Sequence, residues 1–315
     1  MFSAGCVTGS DPGESPSVNY RDHMRDFVED ISSWSKNAAP SFLIIPQNGN
    51  ELITENGEPE GSVITSFVSS IDGMGREDLF FGYQSDDIAT PSAETVWMVS
   101  FLDIALSFGK TILVTDYCHT HWKMDSSYTW NQNAGYISFA ADHRELDNIP
   151  VYPPEPWNVN QNNITELSDV LNFLYLIDAG QFSSTEDFVT ALEGTDYDLL
   201  IIDLFWNDQQ LTPGDIARLK IKNGGASRLV IAYMSIGEAE DYRYYWQPDW
   251  SSNPPGWLGP ENPDWAGNYL VEYWNDEWQN IIFGSSDSYL GRILNSGFDG
   301  VYLDKIDSYE TWEEI

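Results

Sequence analysis

The sequence predicts an α/β protein built on parallel strands, either a (β/α)₈ barrel or a doubly wound sheet. Three observations carry the prediction. Eight short runs rich in β-branched and aromatic residues recur along the chain, and their continuous apolar character suits strands covered on both faces. Segments with helical spacing lie between them. Acidic or amide side chains stand at the carboxyl ends of the runs, at Gln47–Asn48, Glu77–Asp78, Asp116, Asp203, Glu238 and Asp304, where parallel α/β folds place their sites.

In chain order, residues 1–17 (MFSAGCVTGSDPGESPS) read as a polar tether, and MFSAGC resembles the end of a lipoprotein cleavage box. Lipidation at Cys6 would require a start upstream of Met1, and it makes a cell-surface or secreted location the expectation. Residues 20–36 carry Met24, Phe27, Val28, Ile31 and Trp34 at helical spacing. Expected strands follow at 42–46 (FLIIP), 79–82 (LFFG), 111–116 (TILVTD) and 136–140 (YISFA), with a helix over 95–108. The Pro- and Asn-rich stretch 147–171 lacks periodicity and reads as a long connection. Strands resume at 172–177 (NFLYLI), 198–203 (DLLIID), 229–234 (LVIAYM) and 298–304 (FDGVYLD), with helices over 213–222 and 278–295. Four strands are too few to close a parallel barrel alone. The expected organisation is therefore one barrel over 18–315, with halves 18–146 and 172–315 joined by 147–171.

Composition narrows the function. Fifty acidic residues against fourteen basic ones give a formal charge of −36, which repels nucleic-acid backbones and anionic membranes. So acidic a surface also suits a salt-rich medium, where screening relaxes self-repulsion. No run approaches the ~20 apolar residues of a membrane-spanning helix. Two cysteines, Cys6 and Cys118, make neither a disulfide framework nor a zinc knuckle, and the His119-Thr120-His121 pair is a weak metal signal. Neither a metal nor another cofactor is expected.

Four motifs carry a resemblance: FLIIPQNGNEL (42–52), IDGMGREDLFFGY (71–83), MSIGEAEDYRYYW (234–246) and FDGVYLDKIDSYE (298–310). They are similar to the glycoside hydrolase family 114 superfamily, the endo-α-1,4-polygalactosaminidase-like TIM barrels, over most of 18–141 and 172–310. The resemblance implies a rotated strand order, because the segments matching the fifth and sixth strands of the family precede the one matching its fourth. Circular permutation accounts for this, as does a slice of a longer tandem protein. By the same motif matching, Asp304 takes the place of the family's nucleophile or base and Glu77 that of its acid/base.

Glycosidases require such a carboxyl pair across the scissile bond. The plainer readings are a helix cap for Asp304 and a loop ion pair among Arg76, Glu77 and Asp78. Asp203, Glu238 and Asp116 are expected to face the same mouth, where crowded carboxylates raise one another's pKa. The amides of Gln47 and Asn48 suit sugar hydroxyls, and Lys305 and Arg243 offset the negative field. Trp246, one of several aromatic residues in loops, offers a flat face to a sugar ring. The expected function is hydrolysis of a polysaccharide, one containing galactosamine if the family's substrate is retained. The alternative is a non-catalytic cell-surface carbohydrate-binding protein.

Overall fold

The computed structural model describes residues 18–315; the tether and Cys6 lie outside them. Eight parallel strands are β1 (Leu43–Pro46), β2 (Gly73–Glu77), β3 (Thr111–Tyr117), β4 (Ile137–Ala141), β5 (Phe173–Leu176), β6 (Leu199–Ile202), β7 (Leu229–Ser235) and β8 (Gly300–Asp304). Five form one sheet in the order β1-β8-β7-β6-β5, and three form another in the order β2-β3-β4. A parallel bridge between Gln47 and Gly75 joins the margins of β1 and β2. At the other margins Phe139 of β4 packs on Phe173 of β5, ring centroids 5.7 Å apart. The protein is thus a mixed α/β fold with parallel sheets.

The helices are α1 (Tyr20–Ala38), α2 (Thr65–Ser70), α3 (Ser92–Ser107), α4 (His121–Ala134), α5 (Thr185–Glu193), α6 (Pro213–Leu219), α7 (Asp276–Ile282), α8 (Tyr289–Ser296) and α9 (Ser308–Glu314). The Asn19 side chain accepts from the Asp22 N–H and starts α1, whose Met24, Phe27, Val28 and Ile31 are fully buried. Pro40 follows its end. A single cluster of buried side chains joins Met24 to Ile45, Leu113, Phe139, Tyr175, Ile201, Ile231 and Tyr302, so both halves of the chain share one core. Among the described residues no helix is long and apolar enough to cross a membrane.

Two expectations are corrected. The second strand is Gly73–Glu77, and 79–82 is a loop. Its glycines lower strand propensity, but a Cβ on Gly75 would lie 2.1 Å from the Tyr302 hydroxyl oxygen, so the sheet needs a bare backbone there. Gly75→Ala is accordingly expected to destabilise the protein by about 2–3 kcal/mol, with recovery in Gly75→Ala/Tyr302→Val; a denaturant-melt cycle measures it. The helix expected over 278–295 is two, α7 and α8. Gly284 breaks it at φ +104°, and the Ser288 hydroxyl restarts it by accepting from the Gly291 N–H.

Beyond β7 the chain makes a three-stranded antiparallel sheet from Glu238–Glu240, Asn268–Val271 and Leu258–Glu261. Residues 147–171 contain only a 3₁₀ turn, Leu167–Asp169. Because all eight strands are parallel, their carboxyl ends gather on one side, and the cavity described next lies there.

Candidate active site

Three strand ends build the centre. Gln47 follows β1, Glu77 closes β2 and Asp304 closes β8. The residues that come next, Asn48, Asp78 and Lys305, all take left-handed backbone, at φ 59°, 60° and 61°. Asparagine and aspartate tolerate that region; a lysine there is held by its surroundings, and such clusters mark functional sites. The turn points the Lys305 N–H back at Asp304 Oδ1, 2.8 Å away. It also lets Asn48 grip Glu77 twice, Nδ2 donating to Oε2 at 2.9 Å while Oδ1 accepts from the Glu77 N–H at 3.1 Å.

The carboxylates meet at Gln47. Its Nε2 donates to Glu77 Oε2 at 2.6 Å and to Asp304 Oδ1 at 3.2 Å, so those two oxygens are no more than about 5.8 Å apart, the sum of the two bonds. The Tyr117 hydroxyl donates to Glu77 Oε1, and the Tyr233 hydroxyl donates to Asp304 Oδ2 at 2.7 Å. Burial pushes Asp304 up to about 7, helped by the charge of Glu77 and opposed by the Lys305 ammonium. Glu77 is raised as well, first by burial and then by Asp78, against hydrogen bonds from Tyr117 and Asn48. Two carboxyls so placed share a proton near neutrality and titrate as a pair.

The pair opens into a cavity of about 910 Å³, whose lining includes nine carboxylates and three cations. Each cation is already paired. Arg144 holds Asp78 at 2.8 Å and Asp86 at 3.1 Å and lies over the Tyr117 ring, 4.0 Å from its centroid. Arg243 is locked between Asp203 (2.7 Å) and Glu240 (2.6 Å), and Lys305 reaches Glu238 at 3.2 Å. A smaller hollow of about 220 Å³ shares Phe205, Asn207, Asp208, Tyr242 and Arg243 with the cavity and adds Tyr244.

Residues 163–314, which bring Asp304 and Tyr233 to this centre, match the model of glycoside-hydrolase family GH114. That segment belongs to the family. Glu77, Gln47 and Asn48 lie on the amino-terminal side of the GH114 match. An uncharacterised protein of Methanocaldococcus jannaschii is 40% identical over 183 residues, 57% of this chain and 49% of that protein. An uncharacterised protein of Thermotoga maritima is 54% identical over 84 residues, 27% of this chain and 25% of its own. One from Deinococcus radiodurans is 41% identical over 122 residues, 39% of this chain and 37% of its own. The chain spans about half or less of the length of these relatives.

Of the site residues expected from the sequence, Asp304, Glu77, Asp203, Glu238, Gln47, Asn48, Lys305 and Arg243 all line the cavity, whereas Asp116 and Trp246 do not. Asp116 is fully buried on the outer side of β3. There it accepts from the Phe80 and Phe81 N–H groups (2.8 and 3.2 Å), Ser127 Oγ (2.6 Å) and Asn131 Nδ2 (3.3 Å), tying the loop after Glu77 to α4. Trp246 packs on Trp250 and Tyr269, ring centroids 5.1 and 5.0 Å away. The plainer reading of this loop, an ion pair among Arg76, Glu77 and Asp78, is replaced by one between Asp78 and Arg144.

His119 and His121 do not converge. The former approaches Asp87 at 3.7 Å, and the latter stacks on Tyr152, centroids 3.8 Å apart. Among the described residues no group of three or more His, Cys, Asp or Glu side chains is arranged to hold a metal. Sequence reasoning missed Tyr117, Tyr175, Tyr233, Arg144 and Glu240. A signal existed for one: Tyr233 stands two residues before Ser235, which pairs with Asp304 in register, and so shares its inward face.

Proposed function

We propose that the protein is a retaining glycosidase that cleaves a cationic, galactosamine-containing polysaccharide within the chain, as an endo-α-1,4-polygalactosaminidase does. The observation that carries the reading is the pair Glu77 and Asp304, joined through one amide nitrogen at the floor of an open acidic cavity. Retaining enzymes keep their carboxyl groups ~5–5.5 Å apart and inverting ones ~6.5–9.5 Å, and a limit of about 5.8 Å between the bridged oxygens favours retention.

In this scheme Asp304 attacks the anomeric carbon while Glu77 gives its proton to the departing glycosidic oxygen. The resulting glycosyl ester on Asp304 is hydrolysed by water, whose proton returns to Glu77. Nine carboxylates against three already paired cations favour a polymer with one ammonium per sugar, and the adjoining hollow gives such a chain room to run past the bond being cut. A substrate of that size suits a secreted or cell-surface enzyme. The bridge from β1 to β2 and the packing of β4 on β5 support closure of the eight strands into one (β/α)₈ barrel of rotated order.

The test is release of reducing ends from de-N-acetylated galactosamine polymer, compared with its acetylated form and with neutral glycans. The deacetylated polymer is expected to be the best substrate, with a β- or α-anomer outcome by proton NMR that matches the starting linkage. Activity should follow a bell in pH. The acid limb reflects protonation of Asp304, which burial pushes up to about 7, and the alkaline limb reflects loss of the proton that burial holds on Glu77. Tight binding without product on every glycan would replace this reading with the non-catalytic one.

A further inference from the structure

The Gln47 side chain is buried, 2% exposed, and its hydrogen-bonding capacity is taken up inside the protein. Both N–H groups of Nε2 go to the carboxylates, and Oε1 accepts from the Tyr175 hydroxyl at 2.9 Å. This is a different task from the sugar contact that its amide suggests in sequence.

Tyr175 is equally committed. It sits on β5, 1% exposed, with its ring held edge-on by Tyr302, centroids 5.2 Å apart, and near Tyr233 at 6.5 Å. Its hydroxyl bonds to Gln47, 128 positions away in the chain. Turning the amide over would aim a carbonyl oxygen at two carboxyl groups and give up both N–H bonds to them. The carboxylates therefore select the orientation in which a single neutral group offers one hydrogen to each acid, and the Tyr175 hydroxyl, donating to Oε1, holds it there.

We propose that the Gln47 carboxamide, oriented by Tyr175, is a positioning group that holds Glu77 and Asp304 at one fixed separation and stabilises the charge that they share. Asn48, Tyr117, Tyr233 and the Lys305 N–H each serve one carboxylate; Gln47 alone among these donors serves both. A brace of this kind keeps its geometry whichever acid carries the proton, a condition that a two-step exchange of that proton imposes. The kinetic side of the inference rests on the glycosidase reading above. The electrostatic side does not.

The experiment uses the full chain labelled with ¹³C at Asp and Glu carboxyls, in wild type, Gln47→Met, Tyr175→Phe and the double variant, titrated without substrate. Gln47→Met keeps the length and removes both donors. It is expected to move the titration of Glu77 and Asp304 upward by about 0.5–1 pH unit, the equivalent of one lost hydrogen bond to a charged group. Tyr175→Phe is expected to move both in the same direction by less.

The double variant should match Gln47→Met alone, because Tyr175 acts through Gln47. On an active substrate each single variant should lower kcat about tenfold with KM changed less than twofold, and the alkaline limb should shift in step with the NMR titration. Unmoved carboxyl titrations in folded Gln47→Met, or additive shifts in the double variant, would overturn the proposal. Shifted titrations in a protein that hydrolyses no glycan would uphold the brace and sink only the glycosidase reading.

Discussion

Asp304→Asn is expected to abolish hydrolysis, by a factor of about 10³ or more, while making the folded protein more stable at pH 8. The loss follows from the proposed role of Asp304 as nucleophile, a group whose deletion in acyl- and glycosyl-transfer sites has effects of this order or larger. The gain follows from the opposite sign of the electrostatics. Asp304 titrates at about 7 in the fold against an ordinary 3.8, a raised value, so the stability it contributes is full below the unfolded value and is lost as pH rises through about 7.

At pH 8 the wild type holds a buried, ionised Asp304 beside Glu77, and the neutral asparagine relieves that. A rise of about three pKa units corresponds to ~4 kcal/mol at most, and the altered hydrogen bonds to Tyr233 and Lys305 reduce the gain to ~2–3 kcal/mol. Near pH 4 the two proteins should melt within about 1 kcal/mol of each other. Glu77→Gln should behave alike in stability and, with Glu77 as the proposed general acid, lose about 10²–10⁴ in rate. Paired melts at the two pH values and a reducing-end assay decide the matter. If activity and stability fall together, the carboxyl pair is a structural element rather than a reactive one.

How far such a centre can be read from sequence depends on parity along the strands. TILVTDY presents two polar side chains at its end, and a continuous apolar run gives no alternation from which to tell which faces inward. Asp116 faces α4 and anchors a loop; Tyr117, one residue on, faces Glu77. Slipping by one residue exchanges a structural acid for a neighbour of Glu77. Glu77 and Asp304 stood out in sequence through motif resemblance; Asp304 ends its expected strand, whereas the expected strand beside Glu77 began two residues after it.

The β2 strand itself was displaced in the reading. Glycine lowers strand propensity, and the requirement for it comes from Tyr302, more than two hundred residues later. The tyrosines beneath the acids were hidden for the same reason: Tyr175, Tyr233 and Tyr302 look like ordinary core aromatics until register places them under Gln47 and Asp304. Trp246 shows the converse. An aromatic residue in a loop suggested a sugar platform, and it packs against other aromatics.

Lys222→Met carries the largest expected loss of stability, about 3–5 kcal/mol, at the end of the strands opposite the cavity. Lys222 and Asp198 are both fully buried at the side-chain level and meet at 2.5 Å. Asp198, just before β6, also accepts from the Leu171 N–H at 2.9 Å and from Asn160 Nδ2 at 3.0 and 3.1 Å. Lys222 Nζ in turn donates to the Asn162 carbonyl at 3.0 Å and the Asn160 carbonyl at 3.3 Å.

The connection 147–171, which has almost no regular structure of its own, is thereby fastened to the sheet by a buried ion pair. Removing the lysine leaves an uncompensated carboxylate and frees two carbonyls in the same step. Lys222→Met/Asp198→Asn should recover most of the loss, since the amide still accepts from Leu171 and can donate to the freed carbonyls. The connection should open before the rest, so limited proteolysis is expected to cut within 147–171 in Lys222→Met at concentrations of denaturant where the wild type resists. Because the lesion is remote from Gln47, kcat measured well below the melting temperature should stay within about twofold of wild type. A loss below about 1 kcal/mol with no new cleavage would mean that the connection is held by its apolar contacts, Ile164, Leu167 and Val170, rather than by the buried pair.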